Sequence, residues 1–307
     1  MIAFNGRLTI ILIFLIVLSA RGACADMYID KMGREVDIPS SPKRIVSLAP
    51  SITETLFALG LNEEIVGVTM FSDYPEAARS KPRVGSYVNI SIEKVVSLDP
   101  DLIIGTADGN RKETAKQFER FGLPVYVVNP TSLDEIFEMV LDVGKITGKD
   151  GTARDLVHNL RKRVGFVVSR TRNIKKPSVF FQVGIDPVVT VGRDAFHTRL
   201  ITLAGGSSIS RDEKIKYPRY TMEKIIAEQP EIIIVSSMKR GGDFERVRKR
   251  WKRWKDIPAV KNNRIYILNS ELIDRPSPVI VDGLEELAGI IHPEIFTLQP
   301  PRTQNRY

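Results

Sequence analysis

Three histidines, His158, His197 and His292, are the first place to look for chemistry, since imidazole carries protons near neutral pH and ligates metals. They lie far apart, with no H-x-x-x-H spacing to set two rings on one helix face, so packing or surface roles are expected of each. The one cysteine, Cys24, has no disulfide partner. No Walker loop, no G-x-S-x-G elbow and no G-x-G-x-x-G after a strand occurs. Carboxylates are plentiful, yet nothing in their spacing selects an acid–base pair. Non-covalent chemistry is left. Short segments carry aromatic faces, hydroxyls, an amide and a few charges: Pro50-Ser51, Phe71 to Tyr74, Tyr87, Thr106 to Asn110, Gly184 to Pro187, Tyr217 and Glu271 to Arg275. Such a mixture suits a groove for a large, partly apolar molecule, with no metal and no cofactor expected.

These segments need a frame, and the sequence supplies one twice. Tyr87 to Ile104, YVNISIEKVVSLDPDLII, aligns without a gap with Tyr217 to Ile234, YPRYTMEKIIAEQPEIII. Tyr87 answers Tyr217, Ser91 answers Thr221, Glu93-Lys94 answers Glu223-Lys224, and Pro100 answers Pro230. Each copy reads as a Ser or Thr N-cap, a short helix with an aliphatic face, a break at Pro, and an aliphatic run of the buried parallel-strand type. Two copies imply two similar lobes. Glu93 and Glu223 have two readings: each suits the positive end of a helix dipole, and together they set one carboxylate on the same outer corner of each lobe, a matched pair for a two-fold symmetric partner.

Around the repeats, strands and helices alternate, which argues for an α/β chain with mainly parallel sheets covered on both faces. In open sheets of that kind ligands bind beyond the carboxyl ends of the strands, where the segments above fall. Ser51-Ile52-Thr53-Glu54 fits a capping box, with Ser51 bonding the amide three residues on and Glu54 reaching back, and Ser132-Leu133-Asp134-Glu135 opens a helix by the same logic. From Gly151 to Arg172 apolar residues recur at helical spacing for several turns, a helix of roughly 33 Å at about 1.5 Å per residue. Its place between the repeats makes it a strut. The divisions expected are a leader over 1–25, a first lobe over 26–149, a linking helix over 150–173, a second lobe over 174–297 and a frayed tail over 298–307.

The leader has Arg7, the apolar run Ile10 to Leu18, and Ala23-Cys24-Ala25, which is the order of a cleavable secretory signal and too short to cross a bilayer. Cleavage after Ala25 would remove the only thiol and place the protein in the periplasm. Lipid attachment at Cys24 is the alternative, disfavoured by Arg21 three places before it. Losing Arg7 and Arg21 lowers the formal charge of +8 by two and leaves a basic protein. Much of that charge lies between Lys239 and Lys255, readable as a solvated helix face or as a contact for an anionic membrane surface. Nucleic acid is not an expected partner for an exported chain.

RIVSLAPSITETLFALG over Arg44 to Gly60, with Ile65-Val66-Gly67-Val68, Ser72-Asp73-Tyr74-Pro75, Val84-Gly85 and Asp99-Pro100-Asp101-Leu102-Ile103, resembles the periplasmic substrate-binding proteins for cobalamin and iron complexes. In the second lobe Phe181 to Pro187, Ala204-Gly205-Gly206 and Ser270 to Pro278 are most similar to the vitamin B12-binding branch. The resemblance implies two Rossmann-like lobes joined by a single long α-helix, with a ligand cleft between them. It also implies a monomer that delivers a small-molecule ligand to the permease dimer of an inner-membrane ABC importer. Carried over by position, Phe71, Tyr74, Tyr87, Thr106, Tyr217, Glu271 and Arg275 would face the ligand beside Ser51, and Glu93 and Glu223 would dock on permease arginines. Tyr87 and Tyr217 stand where the cobalamin branch often carries Trp. A ferric siderophore or haem is the rival ligand, with Arg275 the cationic candidate for it, and a secreted two-lobed enzyme is the rival from another class.

Overall fold

Aliphatic runs bounded by Pro and Gly form strands here because β-branched side chains pack on both sides of a buried pleated sheet. The structure, a computed structural model, describes residues 25–236 and 244–296. The apolar leader with Cys24, the pair Lys239-Arg240 and the C-terminal tail lie outside the described residues.

A hairpin of β1 (Ala25–Ile29) and β2 (Glu35–Pro39), turning at Gly33 with φ 74°, precedes the first sheet. That sheet is four parallel strands in the order β4-β3-β5-β6, from β3 (Ile45–Ser47), β4 (Ile65–Val68), β5 (Leu102–Thr106) and β6 (Val125–Val128). Its helices are α1 (Pro50–Ala58), α2 (Ile92–Ser97), α3 (Lys112–Arg120) and α4 (Leu133–Ile146). Helix α5 (Asp150–Thr171) leads into the second sheet, ordered β11-β10-β7-β8 with β9 paired to β7. Here β7 is Ser178–Ile185, β8 Val188–Thr190, β9 Ser207–Ser208, β10 Ile232–Ser236 and β11 Ile265–Leu268, and only the β7–β8 pairing is antiparallel. Its helices are α6 (Phe196–Leu203), α7 (Met222–Glu228), α8 (Phe244–Trp251), α9 (Pro258–Lys261), α10 (Ser270–Ile273) and α11 (Ile280–Ile291).

The repeat is a structural duplication. Ser91 and Thr221 each accept a hydrogen bond from the amide three residues on, at 3.4 Å in both copies. Asp99 and Gln229, at equivalent places before the Pro, share the left-handed φ of 46°. Side chains alternate identically along the strand that follows: Ile103 and Ile233 join the outer apolar cluster of their own lobe, whereas Ile104 and Ile234 join the cluster common to both lobes. All four are fully buried, each contributing about 1.5–3 kcal/mol of transfer free energy.

Helix α5 buries Ala153, Val157, Leu160, Val167 and Thr171 along one stripe, packed against α4 and α11. Arg163 on that helix grips Glu285 of α11 with two hydrogen bonds of 2.8 Å and also reaches Asp282. The strut thereby shares one continuous apolar cluster with both sheets, an arrangement that resists wide hinge opening.

One local expectation is corrected. Ser51 is not an N-cap: α1 starts at Pro50, whose preset φ favours the first helical position, with Ala49 as the cap residue and no side-chain cap bond. Glu54 then lies two residues beyond the position that can reach back to the cap, and its carboxylate is engaged elsewhere. The loop after β11 contains the short helix α10, started by Asn269, whose side chain accepts from the Glu271 amide at 3.0 Å. Ser132, by contrast, is a side-chain cap, accepting from the Glu135 amide at 3.2 Å, while Glu135 reaches back to Thr131 at 2.6 Å.

Candidate functional site

The carboxyl ends of the two sheets meet across one gap, and the floor of that gap is a buried ion pair. Glu54 of α1, with 2% of its surface exposed, accepts from Arg275 Nη1 at 2.6 Å and from the Ser277 hydroxyl, both in the second lobe. Burial pushes the Glu54 carboxyl up to about 7, against the pull of the Arg275 charge and of the bonds from Ser277 and Arg275. Arg275 Nη2 also donates to the Phe71 carbonyl at 3.4 Å and lies 3.8 Å from Glu271. Its guanidinium is therefore engaged within the protein.

The first-lobe wall rises from β4. Ser47, Thr53, Thr69 and Ser72 are buried hydroxyls linked at 2.8–3.0 Å, which tie the loop after β4 to the start of α1. Arg83 closes the loop from the other side, donating to the carbonyls of Thr69 and Ser72 at 2.8 Å and to Asp73 at 3.1 Å. With the backbone so fixed, Met70 and Phe71 are held out at 49% and 46% exposure. An exposed Phe on a rigid loop is a platform for an apolar partner.

Beyond β5, Asp108 organises the wall. Its Oδ1 accepts from the Tyr87 hydroxyl at 2.6 Å and from Thr106 Oγ1 at 2.7 Å. Asn110 accepts from the Thr106 amide at 2.8 Å and donates to the carbonyls of Leu48 and Tyr87. The Tyr87 ring lies on Gly109, where an added Cβ would come within 1.8 Å of it, so only glycine allows this stacking. Burial, then the bond and charge of Asp108, push the Tyr87 phenol well above its ordinary range.

Opposite stands Tyr217, 46% exposed, with Lys216 5.7 Å from its ring centroid. Burial, then the charges of Asp274 and Asp108, raise its phenol. Asp108 belongs to the first lobe, so Tyr217 lies close enough to that lobe to feel its charge. Below Tyr217, Asp274 accepts from Ser236 at 3.1 Å and pairs with His197 at 2.7 Å. The carboxylate stands between hydroxyl and imidazole, so His197 is not placed to take the Ser236 proton.

The site residues expected from sequence thus divide. Phe71, Tyr87, Thr106, Tyr217, Glu271 and Arg275 gather at the gap; Ser51 is buried in the first turn of α1, and Tyr74 is half-buried at the loop after Phe71. Glu93 and Glu223 lie apart from them, exposed in the first turns of α2 and α7. Its own backbone amide and the Thr221 hydroxyl hold the Glu223 carboxyl below its ordinary range. Sequence reasoning missed Asp108 and Asp274 as electrostatic centres. The hydroxyl of Thr106 two places before Asp108 was the available signal for the first. Among the described residues no group of three His, Cys, Asp or Glu could hold a metal ion.

A two-lobed α/β fold with a rigid connecting helix and an aromatic gap defines a class of solute binders, and the sequence comparison agrees. Residues 45–272 match the periplasmic binding protein family, and the chain belongs to it. The vitamin B12-binding protein of Vibrio campbellii is 30% identical over 246 residues, 80% of this chain and 88% of its own length. The crystal structure of the periplasmic vitamin B12 binding protein BtuF of Vibrio cholerae superposes with a TM-score of 0.72 at 27% identity, covering 84% of this chain and 99% of that one. The apo periplasmic heme-binding protein RhuT from Roseiflexus sp. RS-1 does so at 0.73 and 28%, covering 82% and 98%. This chain is accordingly a periplasmic solute-binding protein of the kind that serves ABC importers.

Proposed function

We propose that the protein captures cobalamin or a related corrinoid between its lobes and hands it unchanged to an inner-membrane ABC permease. What carries this reading is the charge near the gap: Asp108, Asp274 and Glu271 border it, while Arg275 is turned onto Glu54 and Lys216 lies against the Tyr217 ring. A carboxylate-rich rim suits a ligand edged with amide donors and repels one edged with carboxylates. Phe71 and the Tyr87 and Tyr217 rings would cover the flat corrin faces, with Ser51, Tyr74 and Thr106 near the margins. The corrinoid is cargo, and no resident cofactor takes part.

Haem or a ferric siderophore is the second reading, favoured by the equal fold similarity to RhuT. The same carboxylates count against it. They oppose haem propionates. Titration calorimetry with cyanocobalamin, haemin and a ferric siderophore separates the readings. Heat with cyanocobalamin at micromolar protein is expected; its absence, or heat only with an iron compound, overturns the corrinoid assignment.

Delivery in this reading uses Glu93 and Glu223 as paired contacts for permease arginines, one per lobe of a single protein molecule on a dimeric permease. Export follows from the leader, with cleavage after Ala25 leaving a periplasmic protein free of thiols. Lipid attachment at Cys24 is the alternative, told apart by the mass of the mature N-terminus.

A further inference from the structure

The two helices that follow the repeated strands cover the same kind of surface and differ sharply in charge. After β5, α3 packs Phe118 into the outer cluster of the first lobe. Its solvent side mixes Lys112, Lys116 and Arg120 with Glu113 and Glu119, and Glu119 pairs with Arg34. After β10, α8 packs Val247 and Trp251 into the outer cluster of the second lobe. Trp251 is fixed there by a 2.9 Å bond from its indole to Gln182 and an edge contact with Phe180 at 5.6 Å. The opposite side of α8 and the turn after it expose Lys249, Arg250, Lys252, Arg253 and Lys255, with Trp254 38% exposed among them.

No acidic residue interrupts residues 246–255, and no ion pair holds these five cations among the described residues. Among the described residues Arg250 alone of the five makes a side-chain hydrogen bond, to the Ile185 carbonyl at 3.4 Å. Lys249 and Arg250 lie in the last turn of α8, where the helix dipole favours them, but Lys252, Arg253 and Lys255 follow in the turn beyond it, where no ion pair among the described residues offsets their mutual repulsion. Packing does not require these charges, since Val247 and Trp251 alone seat the helix. The patch spans the last turn of α8 and the turn after it. Its five positive charges with an aromatic at the margin fit a flat array of negative head groups, where Trp settles at the interface and each Lys or Arg adds attraction.

We propose that the exposed basic face of α8 and its following turn, Lys249 to Lys255, is a docking surface for anionic phospholipid that holds the second lobe against the membrane. The contact is reversible and weakens with salt. It lies in the helical layer that also holds α7, which bears Glu223, and it acts independently of which ligand fills the gap.

The test is co-sedimentation of the mature protein with phosphatidylglycerol–phosphatidylcholine vesicles and with phosphatidylcholine vesicles. Partitioning at least about tenfold stronger on the anionic vesicles is expected, lost when sodium chloride rises from about 0.05 M to about 0.5 M. The variant Lys249→Gln, Lys252→Gln, Arg253→Gln, Lys255→Gln should lose that advantage, whereas Lys112→Gln, Lys116→Gln, Arg120→Gln on the first lobe should keep it. Should the first variant not fold, the native protein still decides: anionic vesicles should shift its tryptophan emission to the blue, and Trp254→Phe should abolish the shift. Equal partitioning on neutral vesicles, retention by the α8 variant, or loss by the first-lobe variant would overturn the proposal. So would displacement from vesicles by millimolar inorganic phosphate, which would assign the patch to free phosphate, or tighter binding to duplex DNA than to vesicles.

Discussion

Tyr87 and Tyr217 occupy the same place in the two copies of the repeat and are held in opposite ways. Tyr87 is stacked on Gly109 and bonded to Asp108 at 2.6 Å. Tyr217 is 46% exposed, and among the described residues its hydroxyl makes no hydrogen bond. Everything behind the two rings is the same: the cap, the left-handed residue before the Pro, and the alternation of buried isoleucines. Packing has preserved the frame in both lobes while the tips have diverged, one held by Gly109 and Asp108 and the other left exposed. The acidic corners behave like the frame and not like the tips, since Glu93 and Glu223 keep residue type, exposure and helix position.

If the corners are a matched pair, both are needed. Replacing Glu93 and Glu223 together with Ala should abolish uptake of ligand by cells while calorimetric affinity stays within about twofold of the parent, a difference of less than 1 kcal/mol. Each single variant should fall between. Full uptake by the double variant would break the equivalence and leave the carboxylates as dipole partners only.

The next effect comes from the floor of the gap, where the halves are joined by an unrepeated device. Arg275→Ala strips the partner from a buried carboxylate and should cost about 3–5 kcal/mol at about pH 8 in urea unfolding. The pH dependence has a definite sign. Glu54 takes up its proton more readily folded, near 7, than in the unfolded chain, near 4.5. Between those values the native state binds more protons, so the stability due to this group is present below about 4.5 and lost as pH rises through about 7. Glu54→Gln should therefore flatten the stability profile over that window, and the cost of Arg275→Ala should shrink at about pH 5, where Glu54 can be neutral. A cost independent of pH would mean that Glu54 stays ionised throughout.

A smaller effect separates the two tyrosines themselves. Tyr217→Ala removes an exposed ring and should weaken ligand binding by roughly tenfold, about 1.4 kcal/mol. Tyr87→Phe keeps the ring on Gly109 and removes the bond to Asp108; it should lower stability by about 1 kcal/mol and change affinity by less than about threefold. Equal losses of affinity in calorimetry would erase the distinction between the held ring and the exposed one.

What was legible in the sequence was local. A hydroxyl three residues before an amide, an aliphatic period and a Pro are all within one turn of their partners, so the two repeats, the parallel strands and the long helix could be read directly. The outer corners were legible for the same reason. Glu54 was not: three places after Ser51 it imitates a capping box, and only the fold reveals that its partners are Arg275 and Ser277, more than two hundred residues away. Asp108 was hidden differently. It sits inside a loop that the strand-end rule selects, but its hold on Tyr87 spans 21 residues and depends on Gly109 letting the ring approach. Partnerships of that kind depend on tertiary geometry that no periodicity encodes.

The smallest effect tests how far the frame is truly duplicated. Asp99 and Gln229 share φ 46°, a conformation in which a Cβ is strained and glycine is not. Asp tolerates it better than Gln, because its short side chain suits left-handed turns. On the other side, Gln229 Nε2 donates to the Ile226 carbonyl at 2.6 Å, an exposed bond that glycine would forfeit for about 0.5 kcal/mol. Gln229→Gly should then gain about 0.5 kcal/mol net and Asp99→Gly about nothing, read as a small rise of the urea midpoint in the first variant alone. A loss in both would show that these side chains hold the strand entrance, and that the shared angle follows from different local causes in the two lobes.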